Sequence, residues 1–469
     1  ALVRLAADRH VLVFTAHHIV CDGWSVNIIL GDLATQYRMS REGQSAALPA
    51  APHFSQYALA QAASKDSRAT DLRYWTTLFA DAPSLPDLPT DRARPALRSY
   101  AGATYSTHFG AELHASLKKA GATQGATLFS VLFTALQAVL GRLSGSSDIV
   151  IGVPAAGQSL DDEPGLVGHC VHMLPFRAPL VWDASFAAHV KAVAHRLLDG
   201  FDHAKCTYGT LVRALPLQRV ANRLPLTEFQ FNLERVAEDL DFGGLTVKIA
   251  PNAKAAVNFD IFVNVIESSA GLRIDCDYNT DLFDEATITR WMTHYRRTLE
   301  GICAAPETPM SALPVLSIEQ EHFVLDTVND SAARYPHESC VHELFAAQAA
   351  KTPDAIACID GTGVMSYAEL DRQSTRLAQE ILGVSIVRRG RIAIATDRSR
   401  ALPVSLLAAM KSGHAYVPLD VNQPLERLRQ IATAAQIDAI ICQDERIRSI
   451  APYAVALRLD RLNLGERLE

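Results

Sequence analysis

Residues 304–335, which include "APETPMSALPVLSIEQE", separate two parts of the chain whose strands and helices alternate in different ways. Before this segment, strand-like and helix-like patterns mix without a regular βαβ order, which predicts an α+β fold. After it, helical periodicity at 342–352, 367–383 and 403–412 alternates with the strand-like runs "AIACI", "RIAIAT", "AYVPL" and "AIIC", which predicts an α/β layer. The segment itself is small, polar and punctuated by proline, so it reads as a linker. It also carries Leu313, Val315, Leu316, Phe323, Val324 and Leu325. That is too apolar for a flexible tether, and the linker is expected to pack. At 469 residues the chain has room for roughly three domain-sized units.

Within the first part, "VLVFTA" (11–16) predicts a buried strand. A helix should follow it, with Asp22 as its cap and Trp24, Ile28, Leu33 and Tyr37 at helical spacing. "FSQYALAQAA", "DLRYWTTLFA", the apolar run 126–143, 185–204 and 284–300 read as further helices, and 81–99 as a Pro-rich crossing segment. "TYSTHF", "DIVIGVPAAG", "HMLPFRAPL", "TEFQFNLE", "LTVKIA", "NFDIFVNVIES" and "LRIDCDYN" read as strands.

Several function classes are disfavoured. The formal charge is −7 with acids and bases interspersed, and no basic stripe is present to follow phosphates, so nucleic acid is not an expected partner. The eight cysteines show no CxxC pair and no zinc spacing, and read as buried hydrophobes in a reducing, cytoplasmic compartment. No apolar run is long enough for a membrane span. No bound metal or cofactor is expected. Both ends of the sequence look abrupt, and a fragment of a longer chain is expected.

The residues most suggestive of chemistry are "TAHHIVCDGWS", 15–25. At the end of that strand His17 and His18 face opposite sides, and only one reaches a given cavity. Adjacent strand histidines diverge, and no third ligand stands at a metal spacing. A serine hydrolase would need a GxSxG elbow, which is absent. What remains is a histidine acting directly on a bound substrate as base or hydrogen-bond partner. Gly23 would permit close backbone approach or a positive φ in the turn.

The HHxxxDG pattern at 17–23, followed by Trp24 and Ser25, resembles the active-site signature of nonribosomal peptide synthetase condensation domains, members of the chloramphenicol acetyltransferase-like superfamily. "YWTTLFADAPSLPDLPTDRARP", "SSDIVIGVPAAGQ" with "GLVGHCVHMLPFR", "RLPLTEFQFNLE" and "CDYNTDLFDEATITRW" resemble later segments of the same family, in order. "HELFAAQAAKTPDAIACID", "MSYAELDRQSTRLAQEIL" and "LLAAMKSGHAYVPLD" resemble the start of an adenylation domain, without its Gly/Ser/Thr-rich phosphate loop.

The resemblance implies a two-lobed fold with a partial first lobe (1–88), a second lobe (89–303), the linker (304–335) and a partial α/β adenylate-forming subdomain (336–469). It implies amide formation between an upstream carrier-bound acyl or peptidyl thioester and a downstream carrier-bound aminoacyl amine. His18 would face the tunnel between the lobes, with His17, Asp22 and Gly23 completing the motif. Asp22 would pair with an arginine, expected in a segment preceding this sequence, to hold the turn, and Gly23 would let backbone approach substrate. The partners implied are peptidyl carrier domains with their phosphopantetheine arms; ATP would serve only a complete adenylation domain. "HHIVCDGWS" with "VGHCVHMLPFR" also resembles condensation domains that accept a polyketide donor from an upstream acyl carrier. The alternatives are an epimerisation domain, a free-standing acyltransferase of the superfamily, and a non-catalytic carrier-docking scaffold. The Trp-Ser order and the adenylation start argue against the first, and the adenylation start against the second.

Overall fold

The apolar run near the start makes less strand than its composition predicts. The computed structural model describes residues 1–459 apart from 46–47, 82, 84, 161–162, 236–239, 253 and 385–388, and leaves aside the side chains of 65–67, 160 and 235. In it β1 (Leu2–Arg4) pairs antiparallel with β2 (His10–Leu12), and the last bonds of the pair join Val13 and Ala1, both at 2.7 Å. Val11, Leu12, Val13 and Phe14 are 39–51% exposed, not buried. A strand needs a partner ladder and a covered face, and this two-stranded ribbon leaves both faces open. His17 and His18 therefore lie beyond the strand, where side-chain alternation does not set their directions.

The helix expected next is α1 (Gly23–Arg41), capped by Asp22. Its buried residues are Ser25 and Ala34, whereas Trp24, Leu33 and Tyr37 remain 38–39% exposed. After α2 (Phe54–Ala63) and α3 (Lys65–Leu78), Trp75 and Phe79 sink into the main core. Residues 85–99 cross without helix or strand. They are tied down where Asp91 N–H donates to the Leu282 carbonyl at 2.9 Å and Arg94 meets Glu228 at 3.2 Å.

β3 (Gly102–Gly110) and α4 (Ala111–Thr123) lead into α5 (Leu128–Ser144), where every residue from Ser130 to Gly141 is buried. That accounts for the unbroken apolar run: a helix enclosed on all sides has no face for charge. There follow β4 (Val150–Ala156), α6 (Gly157–Leu160), β5 (Val171–Arg177), α7 (Phe186–Asp202), α8 (Tyr208–Ala214), β6 (Phe229–Arg235), β7 (Ile261–Ser268), β8 (Gly271–Asn279) and α9 (Glu285–Ala304). The six strands form one sheet in the order β3-β8-β7-β6-β4-β5, antiparallel except where β6 runs parallel to β4 and β7. Helices and sheet share one core, pinned by Tyr295 of α9, whose hydroxyl donates to the Leu132 carbonyl of α5 at 3.0 Å. "LTVKIA" is not a strand; Leu245, Val247 and Ile249 are exposed.

The linker divides into two halves. Met310 and Leu313 are buried in the core, and Arg142 donates to the carbonyls of Met310 and Ser311 at 2.9 and 2.7 Å. From Ser317 a capping box starts α10 (Ile318–His322), which runs into one π turn over Phe323–Thr327. Phe323, Val324 and Leu325 are exposed, so the packing expected of the linker holds only for its first half.

The chain resolves into two compact units, Ala1–Asp330 and Ser331–Glu469. In the second, α11 (Val341–Lys351) precedes a hairpin of β9 (Ile356–Asp360) and β10 (Gly363–Ser366). Then come α12 (Tyr367–Gly383), β11 (Arg391–Ala395), α13 (Ala401–Lys411), β12 (Ala415–Pro418), α14 (Leu425–Ala435), β13 (Ala439–Cys442), α15 (Glu445–Arg448) and β14 (Val455–Arg458). These strands form a parallel sheet in the order β12-β11-β13-β14. Ile392, Ile394 and Ile441 pack with Leu377 and Leu407 on one side, while Ala393, Ala395 and Ile440 pack with Leu428 and Ala432 on the other. Burial on both faces explains why "RIAIA" and "AIIC" are continuously apolar.

Candidate active site

Asp22 is 2% exposed and fully engaged. Its Oδ1 accepts the backbone N–H of Ser25 at 2.9 Å, which caps α1. The Ser25 hydroxyl lies 2.7 Å from the same oxygen and accepts the Gly168 N–H at 3.0 Å. Oδ2 accepts the Cys170 N–H at 3.0 Å, and Gln158 Nε2 reaches both oxygens at 2.9 and 3.1 Å. Burial pushes this carboxyl up, but the donors from Cys170, Gln158 and Ser25 outweigh it and hold the group below its ordinary value. Trp24 adds a further tie, its indole N–H donating to the Pro164 carbonyl at 2.9 Å.

The start of α1 is thus stitched to residues 164–170, just before β5. Among the described residues no guanidinium takes part; Asp22 is held by the Gln158 amide and the backbone N–H groups of Ser25 and Cys170. Gln158 can hold this position because Gly157 allows α6 to approach closely. A Cβ on Gly157 would stand 2.3 Å from the Cys170 carbonyl oxygen and 2.5 Å from the Tyr57 hydroxyl.

His17 and His18 sit in the turn that leads to this clasp, both exposed. His17 folds onto its own turn: its Nδ1 accepts the Ile19 N–H at 3.1 Å and its carbonyl accepts the Val20 N–H at 3.0 Å. His18 instead reaches across, and its Nδ1 lies 3.1 Å from Nδ1 of His169, the rings being near-perpendicular with centroids 4.9 Å apart. Partial desolvation and the adjacent His18 ring hold His169 below the usual imidazole value, against an opposing pull from Asp22.

Gly23 has no positive φ, and a Cβ there would meet nothing within 4 Å. The conformational freedom expected of it is unused; what it leaves is open space beside the turn.

Gln158 and His169 lie in segments that carry the family resemblance, but the sequence marks neither as a site residue. The available signal was "GHCVH", a second histidine-bearing run before a predicted strand, but nothing in its spacing linked it to residues 17–23.

A family model described as condensation domain matches residues 1–325, and one described as AMP-binding enzyme matches residues 345–466. A linear gramicidin synthase of Brevibacillus parabrevis is 32% identical over 478 aligned positions, covering 98% of this chain and 9% of that protein. Surfactin synthase subunit 1 of Bacillus subtilis (strain 168) is 31% identical over 456 positions, covering 97% and 12%. The chain therefore spans only a small part of these curated relatives.

In fold, it is similar to holo-AB3403, a four-domain nonribosomal peptide synthetase solved with AMP and glycine. The TM-score is 0.77 at 23% identity, covering 95% of this chain and 35% of that one. The X-domain from teicoplanin biosynthesis matches with a TM-score of 0.58 at 26% identity, covering 67% and 74%. The chain belongs to the condensation-domain family of nonribosomal peptide synthetases and continues into the beginning of an AMP-binding enzyme domain.

Proposed function

We propose that this chain forms an amide bond between two carrier-tethered partners and that His18 serves the reacting amine. The acceptor's amine nitrogen attacks the carbonyl carbon of the donor thioester. The tetrahedral adduct then expels the pantetheine sulfur, and one proton passes from nitrogen to the departing thiol. The thioester supplies the activation, so the step consumes no nucleotide; ATP belongs to a complete adenylation domain.

A free α-amine titrates near ~8 and imidazole near ~6.5, so at neutral pH a useful fraction of amine is already a nucleophile. The task left to His18 is to orient that amine and take the proton the adduct must shed. His17 and Asp22 hold the turn, and the space beside Gly23 leaves room for substrate backbone.

One observation carries this reading. A buried, fully bonded carboxylate joins the start of α1 to the segment before β5 and leaves the His18 ring exposed at their junction. A motif kept only for folding would have no reason to present an imidazole there. The partners are upstream and downstream carrier domains bearing phosphopantetheine, and the upstream one is a peptidyl or polyketide acyl carrier. The setting is a reducing cytoplasm, which the scatter of the eight cysteines, with no CxxC pair among them, supports. Among the described residues, no single helix is long and apolar enough to cross a membrane. Single-turnover transfer between loaded carriers, with and without His18, tests the reading. Unimpaired transfer would leave carrier docking as the role of the site.

A further inference from the structure

Two imidazole nitrogens 3.1 Å apart attract only if one bears a proton and the other a lone pair. The His18–His169 contact joins Nδ1 to Nδ1, so it determines the tautomer of both rings. If His18 donates, its Nε2 keeps a lone pair and can take a proton. If His169 donates, His18 is protonated at Nε2 and has no lone pair left to offer.

We propose that His169 is a positioning residue that accepts the His18 Nδ1–H and thereby keeps the His18 Nε2 lone pair available to the amine. This rests on the reading of His18 given above.

Three features support it. First, the backbone on both sides of His169 is anchored. Gly168 before it is bound to Ser25 Oγ at 3.0 Å, and Cys170 after it is bound to Asp22 Oδ2 at 3.0 Å. One cap therefore holds both histidines, His18 from the chain entering α1 and His169 from the chain entering β5. Second, the donating arrangement needs no rearrangement during turnover. When His18 takes a proton at Nε2, its Nδ1–H already points at a neutral acceptor, and the bond becomes charge-assisted. Third, the charged and titratable groups acting on His169 are His18 and Asp22, and His169 is held below the usual imidazole value despite Asp22. A ring whose protonation is disfavoured suits an acceptor.

The proposal is tested on the full 469-residue chain with 15N-labelled histidine, the His18 signals being assigned by their loss in His18→Ala. The expected result is a His18 ring protonated at Nδ1 and bare at Nε2. His169→Leu should shift it toward the mixture of a free imidazole, and His169→Asn, which keeps an acceptor oxygen near the Nδ1 position, should restore it. In a complete module, His169→Leu should lower kcat for transfer by about 10-fold, less than the ~10²–10⁴ expected for loss of an acid–base group itself. The KM for the acceptor carrier should not change, and His169→Asn should recover most of the loss.

A wild-type His18 protonated at Nε2, a result that needs no variant to fold, overturns the proposal, as do His18 signals unmoved by His169→Leu. His18 signals unmoved by His169→Leu leave the catalytic reading of His18 intact, whereas an Nε2-protonated ring would leave His18 only the orienting half of its role. Conversely, normal transfer by His18→Ala overturns that reading, and the role of His169 in turnover with it, whatever the ring signals show.

Discussion

Gln158 Nε2 donates to both oxygens of Asp22, at 2.9 and 3.1 Å, so a neutral amide from residue 158 holds the carboxylate that caps α1. Removing a donor from a buried, charged acceptor costs about 1–3 kcal/mol. Gln158→Ala should therefore lower stability by that amount. Gln158→Glu should cost more, because it sets a second carboxylate against the first. All four tryptophans (Trp24, Trp75, Trp182, Trp291) lie in Ala1–Asp330, so tryptophan fluorescence during urea unfolding reports this unit alone. A wild-type midpoint for Gln158→Ala would show that the clasp does not depend on it.

The Asp22 clasp also has a pH signature. The folded-state value of this carboxyl lies below its ordinary one. Its contribution is then fully present above the unfolded value of ~3.9 and is lost as pH falls through the lower folded value. Between about pH 5 and pH 3 the wild type should lose more stability than Asp22→Asn, which has no such proton to bind. Equal losses in the two proteins would contradict the assignment.

Gly157 and Gly23 should behave oppositely. At Gly157 a Cβ would meet the Cys170 carbonyl at 2.3 Å, a backbone atom that cannot turn aside, so Gly157→Ala should destabilise by about 1–3 kcal/mol. Gly23 opens α1 with free space around it. Gly23→Ala should leave stability unchanged or raise it by up to about 1 kcal/mol. If the space beside Gly23 admits substrate backbone, the same variant should slow transfer. A variant that is both stable and fully active would remove Gly23 from the site.

Much of this organisation could be read from the residues, for identifiable reasons. The run 126–143 is apolar all round because α5 is enclosed, and the strands β11 and β13 are continuously apolar because both their faces are covered. Asp22 declared itself as a helix cap. The errors arose where an element depends on partners remote in sequence. "VLVFTA" and "LTVKIA" have strand composition, but the end of the first, from Phe14, and all of the second lack a ladder. Gln158 and His169 reach Asp22 and His18 across 136 and 151 residues, a meeting that only the tertiary fold arranges.

The linker's two halves should differ toward proteases. Residues 305–316 are held by Met310, Leu313 and the bonds from Arg142, whereas Phe323–Leu325 and the residues following them are exposed. Limited proteolysis should cut within about 323–335 well before 305–316, because cleavage needs backbone that opens at little cost. Early cutting at 305–316 would mean that the first half is not packed.

His17 should prove structural. Its ring accepts the Ile19 N–H within its own turn, so His17→Ala should lower stability by about 0.5–1.5 kcal/mol, the net value of one hydrogen bond, and affect transfer only to the extent that it loosens the turn. Abolished transfer with an unchanged melting temperature would move His17 into the chemistry.

The most direct test compares His18→Ala with Asp22→Ala in single-turnover transfer between loaded carriers, with a thermal melt of each variant. His18→Ala should lose ~10²–10⁴ in rate while keeping a near-wild-type melting temperature and carrier binding, because its ring is exposed and meets only the exposed His169 ring. Asp22→Ala should lose activity together with stability, by about 1 kcal/mol or more, because it removes the helix cap and the bond to Cys170. Near-normal transfer by a folded His18→Ala would contradict the account.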